Sequence, residues 1–88
     1  MPYNLYIEPN CAKEIEGLCA RNRTLRDALD KKVIQVLELP QRFKPLRAPM
    51  QNKRRSHVLK SFVLTYAIDE ATRTVKLLAF THHDDAYR

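Results

Sequence analysis

The chain has 88 residues, a net charge of +6 and a single glycine. That length holds one domain with no second core, and the composition excludes collagen-like, linker-like and disordered chains. No apolar run approaches the roughly 20 residues that span a bilayer and no signal peptide precedes Tyr3, so a cytoplasmic protein is expected, small enough to gain from a partner that covers its apolar surface.

Tyr3, Leu5 and Ile7 alternate with polar neighbours until Pro9, as in a half-buried strand. Asn10 is placed to cap a first helix, on which Cys11, Ile15, Leu18 and Cys19 fall along one stripe. Two cysteines so spaced stand roughly 12 Å apart along a helix axis, beyond disulfide reach, and are expected as reduced core residues. After a polar connection at 21–23, Thr24 with Asp27 resembles a capping box. The second helix then carries Leu25, Leu29, Val33, Val36 and Leu37 inward until Pro40. Prolines interrupt 43–50, which predicts a loop. The runs 57–59, 62–68 and 75–81 are rich in β-branched and aromatic residues and predict strands, with 69–73 as the turn of the last hairpin. The expected class is α+β, with an N-terminal strand and a helical hairpin packed on one face of a small antiparallel sheet. The other face is left for a ligand.

Charge is concentrated along the chain. Between Glu38 and Asp69 there is no acidic residue, whereas Arg42, Lys44, Arg47, Lys53, Arg54, Arg55 and Lys60 all fall there. A face this positive attracts nucleic acid or an acidic protein segment; the plainer alternative is a solvated basic loop. No glycine-rich phosphate loop, paired CxxC motif or serine elbow is present. His57 opens the strand set and His82-His83-Asp84-Asp85-Ala86-Tyr87 follows its end, so folding of the hairpin brings His57 and a second histidine toward one concavity with Lys60 and Tyr87. RNA cleavage by its own 2′-hydroxyl needs such a set: one group to take the hydroxyl proton, another to protonate the leaving 5′-oxygen, and cations around the phosphate. As neighbours on a strand, His82 and His83 point to opposite sides. The residues at 82–85 are of metal-ligand type, but adjacent positions chelate poorly, so neither a metal nor another cofactor is expected. Tyr87 alone reads by default as an aromatic plug packed on the sheet.

The segments Lys44-Pro45-Leu46-Arg47, Arg54-Arg55-Ser56-His57-Val58, the strand ending Tyr66-Ala67-Ile68-Asp69 and the closing His83-x-x-x-Tyr87 together resemble the RelE/ParE superfamily of type II toxins, over nearly the whole chain. Within it the chain is most similar to YafQ-like and archaeal RelE-like members. The resemblance implies a RelE-like fold and a messenger RNA endonuclease acting in the ribosomal A site, silenced by an acidic antitoxin of RelB or DinJ type. It implies catalysis by His57, His83, Tyr87 and Arg54, the last standing where RelE has a lysine. Lys44, Arg47, Lys53, Arg55, Lys60 and Phe62 are expected to hold RNA. The chain departs from the family pattern at Ser61, where YafQ is acidic, at Val63, where RelE has arginine, and at Ser56, where RelE has lysine. The alternative function is a non-catalytic basic binding protein, either a gyrase poison of ParE type or an inactive toxin relative.

Overall fold

Both helices begin at residues other than those expected, for local reasons. In the computed structural model, which describes residues 3–43 and 53–83, helix α1 spans Pro9–Cys19 and helix α2 spans Arg23–Glu38. Proline opens α1 because it lacks an N–H that would go unpaired there and its φ is already helical, so the boundary residue is Glu8 and not Asn10. At α2 the cap is Asn22, whose Oδ1 accepts from the Leu25 amide at 3.0 Å. Thr24, expected in that role, lies inside the first turn. A 3-10 turn at Pro40–Arg42 follows α2.

Four strands, β1 (Asn4–Ile7), β2 (Lys53–Val58), β3 (Phe62–Asp69) and β4 (Thr74–His82), form one sheet in the order β1-β4-β3-β2. The expected antiparallel arrangement holds for β2, β3 and β4, but β1 runs parallel to β4, so the sheet is mixed. A parallel pair needs a long crossover, and the helices with the β2–β3 hairpin supply it. β2 begins at Lys53, four residues before the expected start; charged residues suit an edge strand but hide its signal. The 3-residue turn at 59–61 has Leu59 at φ 50°. In the β3–β4 turn, Asp69 Oδ1 accepts from the amides of Ala71 and Thr72 at 3.1 and 3.3 Å.

The helices cover one face of this sheet. Cys11, Cys19, Leu25, Leu29 and Val36 from the helices form one apolar cluster with Val58, Leu64, Tyr66, Val75, Leu77 and Phe80 from the strands. Both cysteines are free and buried, as expected; burial and the nearby carboxylates of Glu14 and Glu8 push the Cys11 thiol up to about 11. The Tyr66 hydroxyl donates to the Pro40 carbonyl at 2.6 Å, fastening the 3-10 turn to the cluster. Burial pushes that hydroxyl up to about 12 against the pull of the neighbouring Arg54 guanidinium, so it stays protonated and able to donate. Among the described residues, no helix is long and apolar enough to cross a membrane.

Candidate active site on the open face

Strand alternation decides which side chains reach the uncovered face. In register across β2, β3 and β4 lie three rows: His57–Val63–Thr81, Arg55–Thr65–Ala79 and Lys53–Ala67–Lys76. The intervening rows, such as Ser56–Leu64–Phe80 and Arg54–Tyr66–Leu77, supply the apolar cluster and belong to the helix side. Period two therefore sorts the basic run: Lys53, Arg55 and His57 share the open face, and Arg54, Ser56 and Val58 share the covered one.

The second histidine reaches the open face because of an irregularity in β4. Thr65 pairs with Ala79 and Tyr66 with Leu77, so Leu78 has no partner of its own. This β-bulge shifts the alternation by one residue. Before it, Val75 and Leu77 face the core; after it, Phe80 does. His82 follows Phe80 to the helix side, where its ring meets the edge of Phe62 at 5.5 Å. His83 emerges on the opposite side, and its ring stacks on that of His57 with centroids 5.5 Å apart and planes 29° apart. The His83 amide donates to the Ser61 carbonyl at 2.6 Å, which ties the end of β4 to the β2–β3 turn and holds the two imidazoles together.

The structure thus brings His57 and His83 together, with Arg55 and Lys53 in successive rows on the same face. Lys60 stands exposed in the adjoining turn. Arg54, expected among the catalytic groups, is elsewhere: its Nη1 donates to the backbone carbonyls of Phe43 at 2.7 Å and Gln41 at 3.3 Å. It braces the chain after the 3-10 turn. Phe62, expected to meet RNA, is half-buried against Phe80, ring centroids 5.9 Å apart, on the helix side. Lys44, Arg47 and Tyr87 lie outside the described residues. Sequence reasoning missed Lys76, which falls in the Lys53 row; the alternation of β4 carried the signal.

Chemically, two facing imidazoles beside fixed cations can move two protons around one phosphate while the cations take up its charge. No protein-family model matches the chain. RelE4 of Methanocaldococcus jannaschii, named as a candidate toxin, is 35% identical over 86 residues, which cover 98% of this chain and 92% of that relative. Among solved structures, the RelBE2 toxin–antitoxin complex of Mycobacterium tuberculosis superposes with a TM-score of 0.78 at 23% identity, covering 94% of this chain and 100% of the matched one. The DinJ–YafQ toxin–antitoxin complex of E. coli superposes with a TM-score of 0.79 at 12% identity, over 100% of both chains. At such identities the two structures share this fold.

Proposed function

Because the chain belongs to the RelE/ParE superfamily of toxins, we propose that it is the toxin of a type II toxin–antitoxin pair: a cytoplasmic endoribonuclease that cuts messenger RNA in the ribosomal A site without a metal. The observation that carries this reading is the His57–His83 stack on a cationic face. One imidazole accepts the proton of the RNA 2′-hydroxyl as its oxygen attacks the adjacent phosphorus. The other gives a proton to the 5′-oxygen as the phosphorus–oxygen bond breaks, leaving a cyclic phosphate and a free 5′-hydroxyl. Arg55 and Lys53 hold the phosphate oxygens and offset the charge that builds on them, with the exposed Lys60 adding to the cationic surface; for Lys44, Arg47 and Tyr87, outside the described residues, a role with RNA rests on the family resemblance alone. With this charge supplied by side chains, the scheme assigns no step to a divalent ion.

A partner follows from the same reading. Two of the matched structures are toxin–antitoxin complexes, and a chain of net charge +6 with an uncovered basic face suits an acidic segment that folds as it wraps. Cleavage of messenger RNA on programmed ribosomes, followed by primer extension, tests the catalytic scheme. His57→Ala and His83→Ala should each slow cleavage about 10²–10⁴-fold, the usual contribution of a positioned acid or base, while losing no more stability than one ring contact, about 0.5–1.5 kcal/mol. A His83→Ala variant that cuts as fast as the parent ends the histidine mechanism.

A further inference from the structure

The row that contains Lys53 and Lys76 continues onto β1, where Tyr6 pairs with Lys76. Four strands thus contribute Lys53, Ala67, Lys76 and Tyr6 in one line across the open face. Between this line and the histidines, β3 and β4 place Thr65, Ala67, Ala79 and Thr81, together with Val63 and the unpaired bulge residue Leu78. The taller Lys53, Arg55 and His57 of β2 form a basic wall along one side. From Lys53 to His57 the trough runs about 13 Å at the usual rise of a strand, the length of a few nucleotides.

On the same face, at the β1 edge beside Lys76, lies a depression of about 510 Å³ lined by Tyr6, Glu8, Asp69, Thr72, Thr74 and Lys76. Tyr6 is 48% exposed, a large aromatic surface on this face. The two carboxylates there differ. Asp69 is engaged with the amides of its own turn, whereas Glu8 stands at the start of α1 without capping it through its side chain. An aromatic ring, a carboxylate and a lysine at one end of a basic trough match the parts of a nucleotide: a π face, hydrogen-bond donors on the base edge, and a phosphate.

We propose that this depression is a second nucleotide subsite, in which Tyr6 stacks a base of the bound RNA, Glu8 accepts from its amino group, and Lys76 holds its phosphate. The subsite rests on the RNA-cleaving reading of the histidine pair and adds a point of base selection away from the scissile bond. Adenine, cytosine and guanine each carry an exocyclic amino group for Glu8. Uracil carries none, and its single edge donor sits between two carbonyl oxygens that repel a carboxylate. The subsite therefore selects against uracil.

Fluorescence anisotropy with the full chain and short single-stranded oligoribonucleotides, fully 2′-O-methylated to prevent cleavage, tests this. Oligo-A and oligo-C should bind more tightly than oligo-U of equal length, and Glu8→Gln should erase the difference. Tyr6→Ala should weaken binding about 5- to 150-fold, the effect of losing one stacked base, and Tyr6→Phe should restore it, which separates stacking from loss of fold. Lys76→Ala should weaken all sequences alike and lower the salt slope by about one. If Tyr6→Ala and Lys76→Ala bind as the parent does while Arg55→Ala binds weakly, the subsite is wrong and the RNA-cleaving reading stands. If no oligonucleotide binds although ribosomal cleavage persists, the subsite is again wrong; if cleavage also fails, both fall. A Tyr6→Ala variant that loses its antitoxin but keeps its RNA would make this end of the sheet a protein-docking surface instead and overturn the proposal.

Discussion

The two faces of the sheet are built from the same strands by opposite rules. On the helix side the rows are mostly apolar or braced: Phe80 and Leu64 meet in one row beside the buried Ser56, and in the next Tyr66 and Arg54 send their polar ends to backbone carbonyls. On the open side the rows hold lysine, arginine, histidine, threonine and alanine, and Val63, in the row with His57, is buried yet stands outside the main cluster. One face is shaped by the removal of water and the other by what remains in contact with it. Stability and activity should therefore separate cleanly by face.

Substitutions on the helix side test that separation. The largest effect is expected from Phe80→Ala, which empties a fully buried ring site and should cost about 3–5 kcal/mol in denaturant unfolding, with cleavage per folded molecule unchanged. Tyr66→Phe comes next. It strands the buried Pro40 carbonyl and should cost about 1–3 kcal/mol. It should also change the alkaline limb of stability. The Tyr66 hydroxyl titrates near 10 when unfolded and is raised to about 12 in the fold, so its contribution is complete below about 10 and is lost as the pH climbs toward 12. Unfolding free energies measured across that window should fall more steeply for the parent than for Tyr66→Phe. Equal slopes would mean that the hydroxyl is not held as described.

The smallest effect sharpens the comparison most. His82→Ala loses an edge-on contact with Phe62 on the covered side, about 0.5–1.5 kcal/mol of stability, and should leave cleavage intact although the residue adjoins His83. If His82→Ala were inactive and His83→Ala active, the bulge at Leu78 would not set the phase of β4 in solution.

Much of this was legible in the residues. The helix stripes, the β3–β4 turn and the meeting of His57 with His83 all follow from periodicity and chain order. Arg54, expected in catalysis, falls on the covered face by the same periodicity: two-residue spacing back from His57 leads to Arg55 and Lys53. A resemblance counted along the chain lost that parity. Phe62, expected at the RNA, packs against Phe80 on the helix side, a placement its residue type does not signal because an aromatic residue at the start of a strand can serve either face. The parallel placement of β1 is carried by contacts between residues about as far apart as the described chain allows, with no local signal. The bulge is equally silent, since Leu78 resembles any strand residue. Ser61, a departure from the family pattern, contributes through its backbone carbonyl, which side-chain reasoning does not reach.

The pairing of β1 with β4 also has a consequence in time. Asn4 meets Thr74 across 70 positions of chain, and closing so long a loop is entropically costly and slow compared with forming the helical hairpin or the β3–β4 turn. Until that closure, β1 has no strand beside it, and Leu5, Tyr6 and Ile7 stay partly exposed even afterwards. The folding chain therefore passes through an interval with a bare apolar strand end.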